Sequence, residues 1–283
     1  MQQPPMQPGQ PGAPGQPGAP GQPGQPGQPP QGMPPQQPAA PQAAPGAGAP
    51  PTPQHEITHG PSFSMLRVDV APGQTVVAEA GSMVARNQNV EMEVKMNASA
   101  NAGFFAKLKA FFIALIRKIV GGETFFVNHF SSPQGGSVWI APQMAGSISH
   151  RRMQGETLTL STGAFLCSSG PLEMKLKFGG FKSLLAKEGA FFLQVSGHGD
   201  LWFNSYGGIH AVDVNGPFMV DNGHLVGFEG NLTFNIKSVG GGVMGFVASG
   251  EGLVCEFNGQ GRVYLQSRNL SSLVGWLTPL LPS

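Results

Sequence analysis

Three glutamates, Glu123, Glu188 and Glu251, recur at intervals of 65 and 63 residues, each beside a glycine. Carboxylates meeting on an approximate threefold axis would offer a hard cation its oxygen ligands. Equivalent places in a sequence do not bring side chains together, and isolated carboxylates make a weak site. The simpler role is hydrogen bonding to backbone groups at a strand entrance. His198 near Asp200, His210 near Asp213 and His224 near Asp221 set an imidazole close to a carboxylate, the pairing used in acid–base chemistry. None has the spacing of a metal motif. The chain also holds no Gly-x-Ser-x-Gly elbow, His-Glu-x-x-His pair or Cys/His cluster. These residues assign no catalytic group, no metal and no cofactor, and the expectation is a protein that is not an enzyme.

The elements that must position these residues come in three similar sets. Val90, Met92, Val94 and Met96 alternate with Glu91, Glu93 and Lys95; Leu172, Met174, Leu176 and Phe178 alternate with Glu173, Lys175 and Lys177; Leu232, Phe234 and Ile236 alternate with Thr233, Asn235 and Lys237. Period two predicts a strand with one buried and one wet face. On that reading Leu176→Asp unfolds the domain. Before each strand stands a Gly-opened apolar segment, beginning at Gly81, Gly163 or Gly223. Between segment and strand lie Asn87–Asn89, Ser168–Pro171 or Glu229–Asn231, turn-forming residues that predict a hairpin. The Gly-x-Gly elements at Gly197/Gly199 and Gly259/Gly261 are followed by a strand rather than a helix, so they read as hairpin turns and not as phosphate loops. Three residues beyond the turn glycine stand Trp139, Trp202 and Tyr264, large aromatics whose recurrence predicts core packing or the lining of a central axis. Cys167 and Cys255 fall at different places in their sets, which predicts buried thiols rather than a disulfide framework.

The first set carries an insertion. Within residues 104–120, Phe104, Leu108, Phe111, Phe112, Leu115 and Ile119 form one face of an amphipathic helix, while Lys107, Lys109, Arg117 and Lys118 bring positive charge without any acid. Such a helix either packs on a sheet or lies in a lipid interface. The longest apolar run, 110–116, is far shorter than the ~20 residues of a membrane span.

The chain has 283 residues and a formal net charge of +1. Its acids and bases are interspersed, so it lacks the cationic footprint of a nucleic-acid binder. No Asp, Glu, Lys or Arg precedes Glu56, and residues 1–60 read as a disordered Pro/Gly/Gln-rich leader. Seven Gly-X-Pro triplets within it have a collagen-like register, which as few triplets as these more readily express as extended polyproline II. The leader has neither a secretory signal nor the arginines of a mitochondrial presequence, so the expected location is cytoplasmic. Residues 61–269 suit one three-repeat domain (about 64–147, 148–208 and 209–269), and 270–283 form a short apolar tail suited to docking.

The repeated Gly-Glu strand, the segment Val220-Asp221-Asn222-Gly223-His224 and the closing Val263-Tyr264-Leu265-Gln266-Ser267-Arg268-Asn269 resemble the altered-inheritance-of-mitochondria protein twenty-four family, whose domain is described as like the tryptophan RNA-binding attenuation protein. The resemblance covers about 63–283. It implies an all-β domain of three similar units with pseudo-threefold symmetry, often oligomeric, and supplies no catalytic residues. Its namesake's tryptophan and RNA sites do not transfer, because their motifs and a basic face are missing.

The resulting expectation is an all-β fold, three internal repeats forming a β-sandwich or prism with pseudo-threefold symmetry and one inserted amphipathic helix. Its expected function is that of a non-enzymatic assembly or scaffold protein, a homo-oligomer that does not bind nucleic acid. Two alternatives are a peripheral membrane-surface or partner-binding protein using the 104–120 helix, and a small-ligand module between repeats or subunits.

Overall fold

The structure is a computed structural model and describes residues 50–96, 126–178, 191–238 and 253–281. It is predominantly antiparallel β, with fifteen strands and one short α-helix among the described residues. The first stretch holds β1 (His55–Thr58), β2 (Met65–Val70), β3 (Thr75–Glu79), β4 (Met83–Arg86), β5 (Glu91–Met96), β6 (Phe126–Ser131) and β7 (Gly136–Ile140). β7 lies between β2 and β4, and β6 between β3 and β5. β1 adds to the outer edge of β2, so pairing begins inside the stretch assigned to the leader.

The second stretch holds β8 (Ile148–Ser161), β9 (Phe165–Ser169), β10 (Leu172–Phe178) and β11 (Phe191–Asn204). β11 runs along β8 with one edge and takes β10 and then β9 along the other. In the third, β15 (Leu253–Gln266) takes β13 (Phe218–Asp221) and then β12 (Ile209–Asn215) along one edge, and β14 (Leu225–Ser238) along the other. Two junctions link the stretches. At the first, Val76, Val77 and Ala78 of β3 face Ser169, Ser168 and Cys167 of β9. At the second, Leu158, Thr159 and Leu160 of β8 face Glu229, Phe228 and Gly227 of β14.

The strands exist where alternation predicts them, but their partners differ. β4 pairs β7 and β5 pairs β6, and β9 and β10 both pair β11, so the expected local hairpins do not form. The Gly223-opened segment and the alternating strand after it are largely one strand, β14, whose register against β15 continues through Glu229, Gly230 and Asn231 without reversal. Period two specifies which face of a strand is apolar and leaves its neighbour open.

The Gly-x-Gly elements are likewise not turns. Gly197 and Gly259 sit inside the fourteen-residue strands β11 and β15 with φ of +117° and +121°. A Cβ would stand 2.5 Å from the Pro171 carbonyl oxygen at the first and 2.2 Å from that of Asn231 at the second. Glycine there lets a long strand bend while a neighbour's backbone passes close by. Only in the first stretch, before Gly136, does a true turn separate the corresponding strands.

The core divides into three clusters. One holds Leu66, Val68, Phe130, Val138 and Ile140 with Cys167 and Trp202 from across the first junction. The second centres on Met153, Leu158, Phe165, Leu193 and Phe203, and the third on Val214, Val220, Phe228, Phe257 and Val263. Cys167 and Cys255 are free and buried. The apolar side of the alternating strands is not wholly enclosed, since Val94 is 62 % and Leu176 56 % exposed. Leu176→Asp therefore places its charge in water, and the expectation that it unfolds the domain is withdrawn. The helix α1 (Leu270–Leu277) is capped by Asn269, whose side chain accepts from the Ser271 and Ser272 amides. Its Val274, Trp276 and Leu277 project into solvent, as do Leu280 and Leu281 beyond it.

Candidate functional site

β8 carries His150, Arg151 and Arg152 in succession. Side chains alternate across a strand, so His150 and Arg152 share one face and Arg151 takes the other. On β11, Asp200 stands opposite Arg152 and Trp202 opposite His150. The Asp200 side chain is 1 % exposed and its two oxygens receive three donors. His150 Nε2 donates to Oδ1 across 2.9 Å, Thr52 Oγ1 donates to the same oxygen across 3.0 Å, and Arg152 Nη1 donates to Oδ2. Arg152 Nη2 also donates to the Pro50 carbonyl. The His150 ring stacks on Trp202 at 4.9 Å, and His55 closes the group, its ring 4.5 Å from His150 and 5.1 Å from Trp202. The Trp202 indole N–H is buried without a hydrogen-bond partner among the described residues.

A buried carboxylate needs both a cation and filled lone pairs, and Asp200 has them. Burial holds His150 below its ordinary pKa, against the opposing effect of the hydrogen bond it donates to Asp200. Its neutral ring carries the proton on Nε2, facing the carboxylate. Cys167, opposite Trp202 on β9, has its thiol held well above its usual range by burial and by the Asp200 charge. A neutral imidazole, a saturated carboxylate and a protonated thiol are suited to fastening residues 50–55 and β8 onto β11.

A second cluster lies at the other junction. Arg151 Nη2 is 3.0 Å from Glu229 Oε2, and the Tyr264 hydroxyl donates to Glu229 Oε1 across 2.7 Å. Burial, with this hydrogen bond, pushes the Tyr264 phenol up to about 12. At the corresponding place on β7, Trp139 lies under the Arg67 guanidinium, 5.8 Å away, and Arg67 pairs with Asp69 at 2.9 Å.

Trp139, Trp202 and Tyr264 thus share a strand position without touching one another. Trp202 packs on two histidines, Tyr264 on Phe203, and no ring contact among the described residues joins any two of the three. Among the described residues Asp200, Asp213 and Asp221 take partners other than the histidines near them in sequence. His210 is exposed, Asp213 binds Arg262 at 2.7 Å, the Asp221 side chain accepts from the Gly223 amide, and His224 Nδ1 lies 2.7 Å from the Gln266 carbonyl. His198 is exposed, and Asp200 uses His150 instead. Glu123, Glu188 and Glu251 lie outside the described residues, as do Phe104, Lys107, Leu108, Phe111, Phe112, Leu115, Arg117 and Lys118. His150, Arg151 and Arg152 match none of the sequence motifs considered above. The signal for them is a run of three basic residues inside a strand of a chain only 11 % charged, which demands acids on both faces.

The chain is 31 % identical over 224 residues to an uncharacterised protein of Streptococcus pyogenes serotype M6, covering 78 % of this chain and 88 % of that protein. It also resembles the crystal structure of a Streptococcus pyogenes protein, with 29 % identity and a TM-score of 0.65, over 81 % of this chain and 99 % of that one. Residues 55–268, from the first residue of β1 to just beyond the end of β15, match the family described as mitochondrial biogenesis AIM24, and the chain belongs to that family.

Proposed function

We propose that this protein is a non-enzymatic assembly protein, a homo-oligomer whose domain is built of three like units. Supporting the units is the recurrence of one pairing scheme. β7 and β6 together, then β11, then β15, each form the spine of a stretch, flanked on both edges by strands in the same order. The observation that carries the assembly role is the apolar surface of the C-terminal segment. Val274, Trp276, Leu277, Leu280 and Leu281 are all exposed within a few residues of one another, the kind of patch that marks a protein contact. The Asp200 carboxylate and the Arg152 guanidinium, by contrast, are spent on internal bonds. Light scattering on the full chain is expected to give a mass above one chain, and Trp276→Ser with Leu280→Ser to weaken partner binding while leaving the melting temperature unchanged. A strict monomer that binds no partner overturns this reading.

A second reading is membrane-surface binding through residues 104–120. It is favoured by Met92 and Val94, exposed on the strand that leads towards the basic apolar segment. No helix among the described residues is long and apolar enough to cross a membrane. Flotation with anionic vesicles is expected to fall when Phe111 and Phe112 are replaced by Ser, and flotation that does not change eliminates this route.

A further inference from the structure

At both junctions a strand corresponding to β4 is sandwiched between two neighbours. β9 lies between β11 and β3, and all five of its residues are buried. The start of β14 lies between β15 and β8, and Leu225, Val226, Gly227 and Phe228 are buried. β4 occupies the same place beside β7, yet it is the terminal strand of its sheet and every one of its residues is exposed.

The missing neighbour has a counterpart at the far end of the chain. β3 and β8 each pair one spine on one edge and the following stretch on the other. β13 pairs its spine, β15, and no other strand among the described residues. Among the described residues, the domain therefore ends in one unmatched edge of each kind. Both carry exposed apolar side chains, with Met83 and Val84 on β4 and Met219, 60 % exposed, on β13. Charged side chains commonly guard such edges against pairing. Arg86 does not do so, because its guanidinium turns back to the Val90 and Asn87 carbonyls.

We propose that the β13 edge of one copy pairs antiparallel with the β4 edge of a second copy. The contact repeats between chains the junction that occurs twice within the chain. This inference rests on the reading of the domain as three like units. Superposing the pairing on the spines fixes the register. Val76 and Leu158 pair Phe130 and Val195 as Phe218 pairs Phe257, and Ala85 faces Trp139 as Cys167 faces Trp202. Phe218, Met219 and Val220 of one copy then face Asn87, Arg86 and Ala85 of the next. Two different patches meet, so the contact is head-to-tail and builds rings or open chains.

The test is an engineered cross-link in the full chain. Met219→Cys in one preparation and Arg86→Cys in another are mixed, equilibrated and mildly oxidised. The native thiols, Cys167 and Cys255, are buried and stay out of the reaction. A disulfide-linked dimer containing one of each variant is expected, and a covalent ladder from the double variant. Met219→Lys is expected to lower the mass seen by light scattering. A double variant that forms its disulfide only within a single chain overturns the proposal and leaves three like units standing, with the ring closed inside one molecule. Absence of any cross-link, with an oligomer still present by light scattering, overturns the edge and spares the assembly reading. A strict monomer overturns both.

Discussion

The Asp200 and Glu229 clusters occupy the two junctions of one domain and use the same materials, an acid faced by β8 arginines and an aromatic on the following spine. They differ in depth. The Asp200 side chain is 1 % exposed and that of Glu229 11 %. Asp200 accordingly gathers an arginine, a histidine and a threonine, whereas Glu229 holds an arginine and a phenol. The aromatics follow the same division. Trp202 keeps an indole N–H that finds no partner among the described residues, while Tyr264 gives its hydroxyl to the carboxylate itself. Deep burial raises the cost of an unfilled oxygen, and the number of donors rises to match it.

Of the changes within the two clusters, the largest expected effect breaks the deeper one. Asp200→Ala leaves Arg152 and His150 facing a low-dielectric gap, and because both remain about a quarter exposed the loss is about 3 kcal/mol rather than the upper end for buried pairs. Thermal melting of the variant reads this as a shift of roughly 10 °C. The matching change at the shallower cluster, Glu229→Ala, is expected to cost about 1 kcal/mol, because water can reach Arg151. It also removes one cause of the raised Tyr264 pKa. Ultraviolet titration should find the phenol lowered from about 12, since the Glu229 hydrogen bond and charge both raise it while Arg151 and Arg262, which lower it, remain. Equal losses at the two acids would mean that depth is not what distinguishes them.

The strands were legible in the sequence because alternation is local. Leu172 to Phe178 and Leu232 to Ile236 carry their period within one strand, and the structure places strands at both. Partners were not legible, because nothing near Leu232 encodes that its neighbour is β15 rather than the segment before it. The same limit hid the Asp200 cluster. The sequence sets Asp200 beside His198, but its actual imidazole is fifty positions away and arrives through the register of β8 on β11. Glycine misled in a related way, since Gly197 and Gly259 have the left-handed backbone of a turn and use it to bend a strand.

A smaller effect separates the clusters by pH. The folded protein holds His150 below 6.5, so as pH falls through 6.5 the unfolded chain takes its proton first. Between that value and the folded pKa the unfolded state binds more protons, so stability falls with falling pH, and below the folded value the contribution is fully lost. His55 and Arg152 add to the resistance against protonation and Asp200 opposes it. Denaturation midpoints measured from pH 7.5 to 5 should fall less steeply in His150→Gln than in the parent. Parallel curves for His150→Gln and the parent would remove the imidazole from the account.

The smallest effect is expected on β10, away from both clusters. Leu176 lies on the same strand face as Leu172 and Met174, which are partly buried against the second core cluster, yet it is 56 % exposed. A charge placed there stays hydrated, so Leu176→Asp should change stability by no more than about 0.5 kcal/mol. Leu158→Asp on β8, at a fully buried position, should fail to give a folded domain, because the carboxylate would have neither an arginine nor water. The two variants place the same charge at different depths and carry the comparison from polar clusters to a site without partners. If Leu176→Asp unfolds the domain as readily as Leu158→Asp, then the distal part of the β10–β11 hairpin is covered in solution, and the surface presented by β10 is itself an interface.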